Sequence, residues 1–177
     1  MQDFKKIMLL LIALSVVLLM GCEKHHDVEK LKAEVNSIND QLSKAILEND
    51  HDGPLKFYTE DAISLPSYQP MIKGMDALKE QTEKQKEHPM NMKTFKITST
   101  DVWVSGMFVV DIGTYSLTME MPDAPGGEIK DQGKYLTLFE IQKDGSLLMK
   151  ADTWNTDFNP WEAMMQDHDG GEEKDKS

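Results

Sequence analysis

The stretch Thr94-Phe95-Lys96-Ile97-Thr98-Ser99-Thr100-Asp101-Val102-Trp103-Val104, followed by Ser105-Gly106 and the run 107–119, reads as strand, tight turn and returning strand. β-Branched and aromatic residues crowd both arms, and Ser-Gly between them is a hairpin signal. Residues 134–142 form a third arm of similar composition. Asp144-Gly145 is a tight-turn pair, and 147–155 makes a fourth arm. Between the second and third arms, 121–131 holds Pro122, Pro125, Gly126 and Gly127 and reads as a loop. Four long strands in hairpin succession make an antiparallel sheet.

Upstream of this sheet the period changes. Val28, Leu31, Val35, Ile38, Leu42, Ala45 and Ile46 fall at steps of three and four, which is one face of an amphipathic helix. Residues 49–53 break it. Pro54 can open a short second helix through Leu55, Phe57 and Tyr58. Residues 62–65 read as a short strand stopped by Pro66, with 71–73 as its partner. After Gly74 a polar helix over 75–87 ends at His88-Pro89. Helices thus precede strands. The expected class is α+β, a curved antiparallel sheet wrapped around N-terminal helices as a cone-shaped, cystatin-like roll. Gly106 and Gly113 are places where strands can bend.

The first residues carry an address. Lys5 and Lys6 precede an apolar run of 7–20. That run makes about 21 Å of helix, short of the ~30 Å hydrocarbon core of a bilayer. It suits a secretory signal peptide over 1–21. Leu19-Met20-Gly21-Cys22 resembles the lipobox of bacterial lipoproteins, which implies lipidation at Cys22, the one cysteine of the chain. Residues 22–27 then read as a tether, 28–160 as the domain and 161–177 as an acidic, disordered tail. The expected location is the cell envelope, on the extracytoplasmic side, with membrane lipid as a partner through Cys22.

Composition excludes several functions. The 177 residues carry a formal net charge of −12, and all 19 basic residues are Lys. An acidic domain without Arg is a poor ligand for nucleic acid, which needs clustered cations and favours the guanidinium fork. There is no phosphate loop, nucleophile elbow or Cys-x-x-Cys, so no cofactor and no metal site is expected. The 13 Met, with His25-His26, His88 and His168, leave Met/His metal handling as an alternative.

Three short motifs carry a resemblance. Tyr58-Thr59-Glu60-Asp61-Ala62, Gly133-Lys134-Tyr135-Leu136-Thr137, and Asp144-Gly145-Ser146 with Ala151-Asp152-Thr153-Trp154-Asn155 occur in order. Together they resemble the SnoaL-like, ketosteroid-isomerase-like domains of the nuclear-transport-factor-2-like superfamily. The resemblance implies a cone fold with a pocket between helices and sheet, and a homodimer paired through the sheet. It does not carry isomerase chemistry. Leu65 stands where the catalytic base belongs and Thr137 where the oxyanion acid belongs, and the first helix has no Tyr.

Within that fold, Tyr58, Trp103, Tyr115, Trp154 and Asn155 are the expected ligand-pocket residues, with plain core packing as the alternative for the aromatics. Asp152 is the candidate acid or base. By period two it shares a face with Leu148, Lys150 and Trp154, and the sequence leaves open which face meets the pocket. Asp61 reads as a backbone cap and Lys134 as half of a surface ion pair. The expected activity is binding of a small organic molecule, or an interaction through the sheet. A lyase, isomerase or hydrolase is the alternative class.

Overall fold

The computed structural model describes residues 27–87, 90–122, 124–159 and 161. The signal segment, Cys22, His88, His168 and the acidic tail from 162 lie outside the described residues.

Helix α1 (Val28–Leu47) follows the predicted stripe. The Asp27 side chain caps its first turn, accepting from the Lys30 backbone N–H at 3.2 Å. Gly53–Phe57 is a single 3-10 turn where the sequence suggests a short helix, because strand β1 (Tyr58–Leu65) already begins at Tyr58. Strand β2 (Ile72–Lys73) pairs with Ile63 and Ser64, and helix α2 (Met75–Glu87) spans its predicted range. The long strands are β3 (Met92–Ser105), β4 (Phe108–Glu120), β5 (Glu128–Ile141) and β6 (Leu147–Thr156). Strand β5 begins inside the segment expected to be loop. Its polar stretch 128–133 pairs with β4 through the backbone, which needs no apolar side chain on the solvent side.

The six strands run in the order β2-β1-β6-β5-β4-β3. Every neighbouring pair is antiparallel except β1 and β6, which are parallel. The four long strands are antiparallel, as the sequence predicts, and the sheet as a whole is mixed because the last strand returns beside the first in the same direction. Helix α1 lies over the inner face. Leu31, Val35 and Ile38 meet Val109, Phe139, Ile141, Leu147 and Met149 in one core. Burying each such side chain is worth ~1.5–3 kcal/mol.

Two cross-strand pairs shape the middle of the sheet. Gly113 on β4 stands opposite Tyr135 on β5, and Tyr115 on β4 opposite Gly133 on β5. Each Tyr ring lies over the glycine facing it. A Cβ on Gly113 would meet the Tyr135 hydroxyl at 2.7 Å and the Thr98 carbonyl oxygen at 2.2 Å. A Cβ on Gly133 would meet the Tyr115 hydroxyl at 2.7 Å and the Asn155 carbonyl oxygen at 2.1 Å. The rings run in opposite directions, Tyr135 toward Ser99 on β3 and Tyr115 toward Thr156 on β6.

Two bulges decide which side chains face inward. One falls between Ser99 and Asp101 on β3, the other opposite Leu138 and Phe139, at Lys150 on β6. Beyond each, the alternation switches face.

Gly113→Ala and Gly133→Ala should each lower stability by about 1–3 kcal/mol, the usual penalty for overpacking. Urea unfolding measures it, and unchanged midpoints for both variants would contradict the ring-over-glycine account.

Candidate functional site

Polar residues form one row across the apolar inner face. Asp111 on β4 is opposite Thr137 on β5, Thr137 is opposite Asp152 on β6, and Asp152 is opposite Ser64 on β1. Asp111, Thr137 and Ser64 are buried, and Asp111 is fully so. Two strand spacings separate the Asp111 and Asp152 backbones, or about 9.5 Å.

Each carboxylate has its own neutral supports. Asp111 Oδ2 accepts from the Tyr135 hydroxyl at 2.8 Å and from Asn39 Nδ2 on α1 at 2.9 Å. The Asn39 amide also faces Ser99 Oγ at 3.1 Å and Tyr135 Oη at 3.3 Å. With two hydrogens it cannot donate fully to three oxygens. Asp152 Oδ2 accepts a longer bond from the Tyr58 hydroxyl, at 3.4 Å, and Ser64 stands opposite it on β1. The remaining oxygen of each, Asp111 Oδ1 and Asp152 Oδ1, is buried and has no hydrogen-bond partner among the described residues.

Burial governs the ionisation of this row. It raises Asp152 above the usual carboxylate range, against the lowering pull of the Ser64 and Tyr58 hydrogen bonds. Burial, and then the charge of Asp152, push the Tyr58 phenol up, so Tyr58 remains a donor. Burial also raises Tyr135.

On the inner face beyond this row, away from the core of Val109, Phe139 and Met149, the side chains turn aromatic. Tyr115 stacks on Phe95 at 6.4 Å between ring centroids and meets Trp154 edge-on at 6.3 Å. The Tyr115 hydroxyl donates to Asp131 Oδ2 at 3.1 Å, and burial pushes its pKa up to about 12. Asp131 Oδ1 is taken by Thr156 Oγ1 at 2.5 Å, so both oxygens of this third carboxylate have partners. Trp154 is 39% exposed and stands one inward row above Asp152, opposite Tyr135.

The expected pocket residues divide between two faces. Tyr58, Tyr115 and Trp154 share the inner face. Trp103 does not: the β3 bulge turns Val102 and Val104 toward the core and leaves Trp103 outside, 58% exposed. Asn155 is also outside, exposed and opposite Lys134. The β6 bulge places Asp152 and Trp154 on the face of Leu147 and Met149, rather than with Leu148 and Lys150. Lys134 forms its surface pair with Asp157 at 2.7 Å. Asp61 pairs with Lys150 at 2.5 Å and accepts from the Thr59 hydroxyl at 3.1 Å. No cluster of three metal-ligating His, Cys, Asp or Glu occurs among the described residues.

Asn39, Ser64, Ser99, Asp111 and Tyr135 were not foreseen as site residues. Asp111 carries a visible signal, as a charge on the same alternation as Val109 and Tyr115. Asn39 sits four residues after Val35, inside the apolar stripe of α1. The outer face holds two shallow grooves of about 520 and 220 Å³ along β4, lined mainly by Thr, Ser, Gln and Lys side chains. Neither reaches the carboxylate row.

Comparison with solved structures places the fold. A ketosteroid isomerase-like protein from Erwinia carotovora is similar over 72% of this chain and 96% of its own, at TM-score 0.61 and 16% identity. An NTF2-like protein of unknown function from Pseudomonas putida matches 74% of this chain and 89% of its own, at TM-score 0.60 and 16% identity. An NTF2-like protein from Cytophaga hutchinsonii matches 71% and 97%, at TM-score 0.57 and 11% identity. At such identities these likenesses establish the cone fold and no activity. No family model and no curated protein sequence matches the chain.

The raised Asp152 has a signed consequence. Its folded-state pKa lies above the unfolded value, so its contribution is most favourable at low pH and is lost as pH rises from the ordinary carboxylate range through the folded pKa. Asp152→Asn should therefore gain melting temperature relative to the parent at pH 7 and lose that gain near pH 4. An equal difference at both pH values would contradict the assignment.

Proposed function

We propose that this chain is a lipid-anchored, extracytoplasmic domain that binds a small organic molecule in its cone. The observation that carries the reading is the row of Asp111, Thr137 and Asp152, with one unpartnered oxygen on each carboxylate. Leaving a buried acceptor unsatisfied costs about 1–3 kcal/mol, and more when it is charged. A fold that needed only a core would fill those positions with apolar side chains, which pack there at no such cost. Buried carboxylates short of donors are over-represented at binding and active sites, which is what supports the reading. Tyr115, Phe95 and Trp154 supply an aromatic rim for the apolar part of that ligand.

The anchoring part rests on the lipobox-like Leu19-Met20-Gly21-Cys22. Two or more acyl chains bury enough CH₂ groups, at ~0.8 kcal/mol each, for stable attachment.

A second reading concerns the outer face. Trp103, Phe108 and Leu136 are 58%, 41% and 39% exposed there, beside Val110, Ile112 and Leu138. Contiguous apolar side chains on an outer sheet face suit pairing with a second copy.

Three measurements test these readings. Native mass spectrometry of the chain purified from its own cells should show a bound small molecule, lost in Asp111→Asn; consistently empty protein argues against a cone ligand. Cys22→Ser should move the chain from the membrane to the soluble fraction, and continued attachment would rule out lipidation. Sedimentation should give a dimer that Leu136→Glu converts to monomer; a monomeric parent would remove the second reading.

A further inference from the structure

We propose that Met90, Met92, Met119 and Met121, at the end of the β3–β4 hairpin away from its turn, form a thioether site for Cu(I). This goes beyond the cone reading and does not rest on it. The sequence repeats Met-x-Met on both arms, as Met90-Asn91-Met92 and Met119-Glu120-Met121. The fold brings the two repeats together. Met92 is opposite Met119 in the ladder. One step on, the Glu120 N–H donates to the Asn91 carbonyl at 2.9 Å, so the pairing runs past the start of β3.

Polar contacts fix which face each repeat shows. The Asn91 amide donates to the Glu120 carboxylate, and Lys93 bridges Glu120 and Glu128 at 3.2 and 2.6 Å. These side chains share the outer face. Met92 and Met119, each adjacent in sequence to the Asn91–Glu120 pair, face the other way, onto the inner side with Phe95 and Leu117. Directly opposite side chains stand about 4.5–5.5 Å apart at Cβ. Met121 follows Met119 by period two, its N–H held by the Gly127 carbonyl at 3.0 Å. The Met92 N–H reaches back to the Met90 carbonyl at 3.1 Å, a three-residue turn that keeps Met90 beside Met92.

The site opens directly to solvent. Met92 is buried and Met119 half-buried, while Met90 is 52% and Met121 40% exposed. A Cβ on Gly127, across from Met121, would meet nothing within 4 Å. An ion therefore reaches the outer pair without passing through the core. Gap-filling, the ordinary role of Met, accounts for Met92 but not for the exposed Met90 and Met121. Met71 and Met107 are also exposed, yet neither has a second Met opposite it or two residues away.

The donor set selects the ion. Thioethers are neutral, polarizable and soft, and they favour Cu(I) over hard or borderline dications. No group of three His, Cys, Asp or Glu offers a harder site among the described residues. The one cysteine of the chain is Cys22, so Met is the soft sulfur of the domain. The net charge of −12 draws cations toward it.

The test uses the intact chain labelled with carbon-13 at its Met methyls. Cu(I), kept reduced by ascorbate without oxygen, should shift the methyl signals of Met90, Met92, Met119 and Met121 and saturate at one equivalent. Those of Met71 and Met107 should stay in place, and Zn(II) should move none of them. Ag(I), a redox-inert ion of similar softness, gives the affinity by calorimetry. Met119→Leu with Met121→Leu should weaken binding about tenfold or more, the scale on which metal sites respond to lost support. Met90→Leu with Met121→Leu alters exposed positions alone, leaves the core intact, and should weaken binding likewise. Met71→Leu with Met107→Leu should leave it unchanged. Absence of binding, equal shifts at Met71 and Met107, or affinity unchanged in both site variants would overturn the site.

Discussion

Tyr135 lying across Gly113, and Tyr115 lying across Gly133, is the constraint on which the rest of the interior depends. A sheet that bends around one helix leaves little height above its central strands. Two phenol rings fit there only because the residues beneath them lack a Cβ. Laid flat, the rings deliver their hydroxyls to neighbouring strands, and that of Tyr135 also meets Asn39 of α1. One reaches Asp111 and Ser99, the other Asp131. The same packing that curves the sheet thus ties up one oxygen of Asp111 and leaves the other without a partner.

Much of the architecture was legible because it is periodic. The α1 stripe, the polar α2, the Ser105-Gly106 hairpin and the Asp144-Gly145 turn all follow local rules that need no tertiary information. The β5 start was not legible, since Glu128-Ile129-Lys130-Asp131 has loop composition and becomes strand only through β4. The parallel pairing of β1 with β6 is likewise a property of the whole chain path.

The site was harder to read, for one physical reason. Period-two reasoning assumes an unbroken strand, and both informative strands contain a bulge. On β3 the bulge moves Trp103 from the expected pocket to the outer surface. On β6 it moves Asp152 and Trp154 onto the core face with Leu147 and Met149. Neither bulge carries a Gly or Pro to mark it: the residues involved are Thr100 and Lys150. Asp111 was different. It lies on an unbroken strand between Val109 and Gly113, and its inward position follows from simple alternation.

The resulting interior is an apolar cone crossed by one row of polar groups, where carboxylates lack both a counter-cation and a full set of donors. Such a row is a poor way to build a core and a good way to hold a ligand. The most direct measurement is a high-resolution crystal structure of the chain isolated from its own cells without denaturation. Electron density for a small molecule in the cone, beside the row of Asp111, Thr137 and Asp152, is the expected result. A cone without ligand density, its interior filled by side chains, would contradict it.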